Sequence, residues 1–256
     1  MSHILNQNLI KNFKTVLKMK KILSLTIVSA LLFAISACRD ESLNPLPTFL
    51  PGVHAFTVFD GIAFNGNLLA RPQPYEVDNA KTFPKAAQNS AKIDFKTRWV
   101  SLDNKLTVNK IEIYVRMLES YNDPDGNPKV ADLSGNGKGK LIATISAPAA
   151  NRQWNAFSIT PQQIYDAYKT ATVKYDKVNS VNVFSNPARP RPTNAWLRPA
   201  ETATYGAVAS DSFVLTWILY TTDGQVFNTW NPDSICADPT SVSEANSNCQ
   251  LAFSVK

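Results

Sequence analysis

The sequence predicts an all-β protein, a sandwich of two sheets with one short helix and long loops. Apolar and polar residues alternate in AKIDFKTRWV from residue 91, KIEIYVRM from residue 110 and CQLAFSV from residue 249. This period of two is typical of half-buried strands. The stretch DSFVLTWILY, residues 211–220, is apolar on both faces. It favours a central strand covered on both sides, and therefore two packed sheets over one open sheet.

Two local signals complete the fold prediction. Asp223-Gly224 separates two β-rich runs, and this dipeptide suits a tight hairpin turn. In TPQQIYDAYKTA, residues 160–171, Thr160 and Gln163 form a capping box around Pro161, which suits the first helical position. We expect a short helix that crosses between strands and closes one end of the sheets.

The first 37 residues have the pattern of a signal peptide. From Met19, two lysines precede a 14-residue apolar run, residues 22–35, and small residues follow. This is the order of a secretory signal, and the run is shorter than the about 20 residues that a spanning helix needs. Residues 1–18 look like an upstream extension, so we expect Met19 to be the start.

The apolar run ends in Ile35-Ser36-Ala37-Cys38, which resembles a bacterial lipobox. The resemblance implies cleavage before Cys38 and lipidation of its sulfur, and stable anchoring takes about two lipid signals. An ordinary signal peptide that contains a cysteine is the alternative. The next residues, 39–41, are similar to the export tag of surface lipoproteins of Bacteroidota, which implies the outer face of the outer membrane.

Domain boundaries follow from this processing site. Residues 38–52 are rich in proline and lack apolar periodicity, so they are expected to form a lipidated tether. Residues 53–256 then form the β-sandwich domain. A split near residue 150 into two small β domains is the alternative.

The net charge of +6 is largely a property of the signal. Five lysines precede Cys38 and no acid does, so the remaining chain carries 21 basic and 20 acidic residues, a net of +1. Nucleic-acid binding needs a concentrated positive surface. A near-neutral chain without a basic run therefore argues against a nucleic-acid partner.

Cys236 and Cys249 are expected to form a disulfide, because disulfides persist in exported proteins. Closing the loop between them would stabilise the fold by about 3 kcal/mol. Two free thiols are the alternative. A zinc site is disfavoured because no further thiol or imidazole lies near them in the sequence.

Between about residues 106 and 230 the order of features resembles an extracellular domain of Bacteroidota lipoproteins encoded beside glycan or nutrient transporters. The matching segments are VNKIEIYVRML, KLIATISAP, FSITPQQIYDAY and ASDSFVLTWILYTTDGQVFNTW. The resemblance implies an immunoglobulin-like β-sandwich, similar to accessory members of starch-utilisation-type loci. It also implies a TonB-dependent transporter and its lipoprotein partner as neighbours. No binding residue is carried over from the resemblance.

The loop YNDPDGNPKVADLSGNGKGK, residues 121–140, is a weak calcium candidate. It offers oxygen donors of the kind that calcium prefers: Asp123, Asp125, Asn127 and Asp132. The glycine falls at the fourth position and Ser134 stands where an EF-hand has a bidentate acid, so the loop is not an EF-hand. The alternative, which we favour, is a long hydrophilic hairpin loop turned by Asp-Gly and Asn-Pro.

A proline-rich segment, residues 185–206, is the candidate ligand-binding region. It carries Trp196, Arg189 and Arg191, and tryptophan and arginine are enriched in binding hot spots. Proline stiffens such a loop and lowers the ordering cost of binding. The alternative is that Trp196 folds back over the sandwich and the arginines are solvated.

A glycan could also stack on Trp154 or Trp230, whereas Trp99 and Trp217 lie in alternating strands and are expected in the core. No nucleophile elbow, zinc-protease motif or phosphate loop occurs, and no cofactor is predicted. We therefore expect a non-catalytic surface lipoprotein accessory to transporter-linked glycan or nutrient capture. The alternatives are a structural or adhesive surface domain without a ligand and a carbohydrate-active enzyme, whose paired acids need only a short separation in space.

Overall fold

The described part of the chain folds into antiparallel sheets with one α-helix, so the all-β prediction is confirmed. The computed structural model describes residues 52–62, 80–101, 103–135, 137–191, 196–201, 210–228 and 250–256. All of these residues belong to one unit, Pro51–Lys256. The predicted signal peptide, Cys38, Trp230, Cys236 and Cys249 lie outside the described residues.

The described strands, in chain order, are β1 (His54–Phe59), β2 (Ile93–Val100), β3 (Val108–Asn122), β4 (Pro128–Asp132), β5 (Lys140–Ile145), β6 (Asn155–Ile159), β7 (Thr172–Val173), β8 (Val181–Asn182), β9 (Asp211–Thr221), β10 (Val226–Asn228) and β11 (Leu251–Ser254). The helix, α1, spans Pro161–Tyr168, and a short 3-10 turn spans Gln88–Ser90. A three-stranded sheet has the order β1-β2-β6, and β7 pairs with β8.

The six-stranded sheet is built around β3 and β9. These two long strands pair with each other from Val108↔Thr221 to Glu119↔Asp211. The other edge of β3 is shared by β5 and β4, and the other edge of β9 by β10 and β11. The predicted central position of β9 is therefore confirmed.

The core lies between the small sheet and the large sheet. The residues of β3 that the alternation predicts to face inward are all fully buried: Ile111, Ile113, Val115 and Met117. Phe95 of β2 meets Phe253 of β11 edge to face, with ring centroids 5.6 Å apart. The two sheets thus pack face to face through apolar side chains, which is the layered arrangement of a sandwich.

Helix α1 begins as its capping residues predict. The Gln163 amide donates to the Thr160 hydroxyl at 3.2 Å, and the Thr160 amide donates to the Gln163 side chain at 2.8 Å. Ile164 and Tyr168 are buried one turn apart, and the Tyr168 hydroxyl donates to the carbonyl of Val115 in β3. The helix is therefore docked on the large sheet. Within the described part of the chain, no helix has the length and apolar character needed to cross a bilayer.

The predicted hairpins are also present. Gly224 adopts φ +86° in the turn between β9 and β10. Gly126 adopts φ +82° in the turn between β3 and β4, where the Gly126 amide donates to the carbonyl of Asp123 at 2.9 Å. Both turns use the left-handed region that favours glycine.

Gly139, just before β5, lies against the backbone of β3. A Cβ at this position would stand 2.6 Å from the carbonyl oxygen of Val115 and 2.9 Å from the amide nitrogen of Arg116. Next to it, the Lys138 ammonium lies 4.2 Å from the ring centre of Tyr114, and the Lys138 carbonyl accepts from Thr216 at 3.4 Å. Residues 137–139 thus cover the outer face of β3 and β9, and only glycine fits at this approach.

Gly139→Ala is expected to destabilise the protein by more than about 2 kcal/mol, because the new methyl group clashes with main-chain atoms that cannot rotate away. Gly135→Ala is the matched control, since Gly135 also has positive φ but has open space around its Cβ position. We expect the control to cost about 1 kcal/mol from backbone strain alone. Urea unfolding of the two full-length variants measures the difference, and equal losses would contradict the close-approach account.

Candidate functional site

The structure brings together Trp196, Arg189 and Arg191, the three residues that the sequence singled out for ligand binding. Residues 185–191 and 196–201 of their segment are described, and they lie against the ends of β3 and β9. Trp196 is half-buried, whereas both arginines are buried. The alternative in which the arginines are solvated is therefore wrong. The arginines are buried because they pair with two buried carboxylates, those of Glu119 and Asp211.

Trp196 belongs to an aromatic cluster with Tyr165 and Phe184. Its ring stacks on that of Tyr165, with centroids 5.6 Å apart and planes 25° apart. The Phe184 ring meets the Tyr165 ring edge to face, with centroids 5.2 Å apart. Tyr165 lies on α1, Phe184 is two residues beyond the end of β8, and Trp196 belongs to the proline-rich segment. The cluster therefore joins the helix to that segment. All three rings are half-buried and part of each is open to solvent.

Arg191 holds the cluster in place from beneath. Its guanidinium lies 4.4 Å from the ring centre of Phe184 and donates to the carbonyl of Trp196 at 2.7 Å. It also donates to the carbonyl of Val183 at 3.3 Å. One side chain thus links the backbone just before the segment to the backbone at Trp196, and a planar guanidinium with several fixed donors suits this role.

The partners of Arg191 form a buried ion network with Glu119, Asp211 and Arg189. Glu119 and Asp211 are cross-strand neighbours on β3 and β9, and both are fully buried. Arg191 pairs with Asp211 through both terminal nitrogens, and Arg189 donates to Glu119 at 3.1 Å. Two carboxylates buried side by side would repel each other strongly without these cations.

Electrostatics in the network follow from burial. Burial, and then the charge of Asp211, raise the pKa of Glu119 above its ordinary value, while Tyr175 and the two arginines oppose the rise. Burial also raises the pKa of Tyr175, so its hydroxyl remains a donor to Glu119. Burial works against the charge of Arg191, yet Asp211 raises the pKa of Arg191 overall. The arginine therefore stays charged at any physiological pH.

Arg198 and Gln88 fasten the far end of the segment. The Arg198 side chain donates to the carbonyls of Arg189 at 2.7 Å and Pro190 at 3.2 Å, and its amide donates to Asp211 at 2.7 Å. The buried amide side chain of Gln88 both donates to and accepts from the backbone of Leu197. The segment is thus held to the sheet at several points by hydrogen bonds.

The acids of this network were not predicted as site residues, although the alternation contains a signal for them. Glu119 continues the inward series that begins at Ile111 in β3, and Asp211 begins the inward series of β9. An acid at an inward position needs a buried cation. The proline-rich segment contains three arginines, Arg189, Arg191 and Arg198. The sequence therefore contained enough information to predict a buried ion network between this segment and the two acids.

The weak calcium candidate, Asp123, Asp125 and Asn127, lies at the tip of the hairpin between β3 and β4. Asp123 accepts from the backbone amides of Asp125 at 3.0 Å and Asn127 at 2.9 Å. The ammonium of Lys177 pairs with both Asp123 and Asp125, so a lysine occupies the place that a cation would take. Asp132, at the far end of β4, pairs with Arg116 instead.

These four residues therefore do not converge as a ligand set. Over the described residues, no group of three or more histidine, cysteine or acidic side chains is placed to hold a metal ion. The favoured reading of this loop, a hydrophilic hairpin, matches the geometry. Of the tryptophans, Trp99 and Trp217 are in the core as expected, and Trp154 is 38% exposed.

Arg191→Met is expected to lower the free energy of unfolding by about 3–5 kcal/mol, because it leaves Asp211 buried without its main counter-charge. Arg116→Met is the matched control, since it removes the same side chain from the part-exposed pair with Asp132. The control is expected to cost about 1 kcal/mol or less. Equal losses for the two full-length variants in urea unfolding would show that the buried network carries no special weight.

Trp196, Tyr165 and Phe184 thus form an aromatic surface cluster that the buried ion pair of Arg191 and Asp211 holds in place. No protein-family model matches the chain, and no curated protein matches it significantly. The resemblance to surface lipoproteins therefore stays a prediction from the sequence.

Proposed function

We propose that this protein is a non-catalytic surface lipoprotein of the outer membrane that helps to capture a glycan or another nutrient. Lipid on Cys38 anchors it, residues 38–52 tether it, and a TonB-dependent transporter with its lipoprotein partner takes up what it captures. For residues 53–256 we propose that the sandwich is of the immunoglobulin-like type. The signal, lipobox and export tag in residues 19–41 support the location.

The observation that carries the binding role is the rigid, part-exposed stack of Trp196 on Tyr165. Sugars present apolar C–H faces, and a half-exposed aromatic pair offers a large apolar area on which such a face can pack. A stack held by Arg191 pays little ordering cost on binding, because its segment is already fastened to the sheet. The cluster thus has the two properties that a glycan platform needs, an apolar face and a fixed orientation.

The position of the acids supports a binding role over hydrolysis. Glycoside hydrolysis needs two carboxyl groups that reach substrate and water. Glu119 and Asp211, which are register partners on β3 and β9, are fully buried and ion-paired with arginines. A pair held in this way is suited to fastening a loop and unsuited to proton transfer at the surface.

Affinity gel electrophoresis of the full chain with neutral polysaccharides (amylopectin, xyloglucan and mannan) tests the proposal. We expect at least one of them to retard the protein. Trp196→Ala should weaken that binding about tenfold or more, as expected for an aromatic hot spot, and Trp196→Phe should keep part of it. Trp154→Ala is the control, since it removes an exposed tryptophan outside the cluster.

If none of the three retards the wild-type protein, a structural or adhesive surface domain becomes the better account. If Trp196→Ala binds as tightly as the wild type, glycan capture does not use the aromatic cluster. Unfolding measurements on each variant show whether lost binding reflects lost folding.

A further inference from the structure

A second surface, on the small sheet, combines an exposed indole with several cations; we name it the basic patch. Trp154 is 38% exposed, and the Arg98 guanidinium lies 4.8 Å from its ring centre. The Lys96 ammonium lies 5.4 Å from the same ring. Phe56 contacts the indole with centroids 6.1 Å apart. Lys96, Arg98 and Phe56 share one side of β1 and β2, because Phe56 and Arg98 are register partners and side chains alternate.

The loop that carries Trp154 is held firmly to the end of β2. Asn151 pairs with the backbone of Ser101 in both directions, at 3.1 Å and 2.8 Å. The Trp99 indole donates to the carbonyl of Ala149 at 2.8 Å, and the Ala149 amide donates to Asn155 at 2.7 Å. These bonds anchor both ends of residues 149–155, so the side chains between them are preorganised.

Arg152 lies at the tip of this loop in an uncommon conformation. Its φ is +68°, a left-handed conformation that is unfavourable for residues other than glycine, asparagine and aspartate. The Arg152 amide donates to the carbonyl of Trp99 at 2.9 Å, which holds this conformation. Strained backbone of this kind persists where surrounding structure over-determines it, and it clusters at ligand sites. The side chain of Arg152 is exposed.

Charge is concentrated around the patch. Linked to it by contacts or by electrostatic interaction are five cations, Lys81, Lys92, Lys96, Arg98 and Arg152, and two acids, Asp60 and Asp94. Asp60 pairs with Lys96 at 3.2 Å, and Asp94 pairs with Lys92 at 3.1 Å. The described residues here therefore carry a local excess of three positive charges, in a chain that is near neutral after Cys38.

Arg98 and Arg152 interact unfavourably when no ligand is present. Burial, and then the like charge of Arg152, lower the pKa of Arg98. An anion bound at the exposed Arg152 guanidinium would offset this repulsion. Guanidinium groups are suited to that role because their donors match the paired oxygens of a carboxylate or sulfate.

We propose that the basic patch binds an acidic saccharide, in which a sugar ring packs on Trp154 and its carboxylate or sulfate pairs with Arg152. An exposed indole offers one stacking surface, which fits one ring of a glycan. Nucleic-acid strands are held by aromatic platforms for successive bases along a basic groove, and among the described residues the patch has one exposed indole. This site is separate from the aromatic cluster around Trp196 and does not depend on the proposed function of that cluster.

Affinity gel electrophoresis of the full chain with polygalacturonate, chondroitin sulfate and neutral amylopectin tests the inference. We expect at least one acidic polymer to retard the protein, with a Kd that rises with NaCl concentration. Arg152→Asn and Trp154→Ala should each raise that Kd about tenfold, which is the scale of one lost charge-assisted hydrogen bond or stacked ring. Asparagine is chosen because it tolerates positive φ.

Lys174→Gln is the matched control, because it removes one exposed positive charge between β7 and β8, away from the basic patch. It should change the Kd less than twofold. Since Trp154→Ala also loses packing on Phe56, urea unfolding of each variant accompanies the binding data, and Arg152→Asn provides an independent test.

Several results would overturn the inference. These are failure of both acidic polymers to bind, equal losses for Lys174→Gln and Arg152→Asn, and unchanged binding by a folded Trp154→Ala variant. An oligothymidine strand bound as tightly as the acidic glycans would identify the patch as a nucleic-acid site instead. Loss of amylopectin binding in Trp196→Ala bears on the aromatic cluster alone, so the two proposals fail independently.

Discussion

Two carboxylates, Glu119 and Asp211, lie side by side in the interior at the end of the β3–β9 ladder, and the surrounding structure depends on neutralising them. Buried acids without partners would be very costly, and among the described residues no strand supplies a cation to either of them. The proline-rich segment does, because Arg189 and Arg191 reach in from it. Charge neutralisation therefore decides where this segment lies, and through it where Trp196 stacks on Tyr165.

Proline and arginine act together in this arrangement. Prolines restrict the conformations of the segment before it docks, and the arginines give it a small set of favourable anchoring points on the sheet. The Arg198 side chain donates to backbone carbonyls of the same segment, which satisfies polar groups that would otherwise be buried without partners. The result is an irregular segment with the rigidity that binding surfaces usually obtain from strands or helices.

Much of the fold was predictable because its signals are local. Alternation in KIEIYVRM gave the inward face of β3, the pair Thr160 and Gln163 gave the start of α1, and Asp223-Gly224 gave the β9 hairpin. Each signal acts within a few residues, so one sequence contains it in full. The strand order and the pairing of β3 with β9 depend on contacts between distant residues, and the alternating pattern carries no information on them.

The candidate sites also combine features that local sequence predicts with features that depend on contacts between distant residues. That Trp196, Arg189 and Arg191 belong to one region followed from their spacing in the sequence, but their roles differ according to burial: the arginines fasten the segment and the tryptophan faces solvent in part. Tyr165 could not be assigned, since its place under Trp196 depends on how α1 docks. The basic patch was equally hidden, because Arg98 lies on β2 and Trp154 in the loop before β6, and the two meet only in the folded protein.

Native-state hydrogen exchange of the wild-type full chain tests the central claim, that buried charge fastens the proline-rich segment to the sheet. The informative amides are those of Leu197, which donates to Gln88, and Arg198, which donates to Asp211. Both should be protected to within about tenfold of the Leu215 amide in β9, since they would then open only with the core. Exchange of Leu197 and Arg198 near the rate of an unfolded chain, while Leu215 stays protected, would contradict the claim.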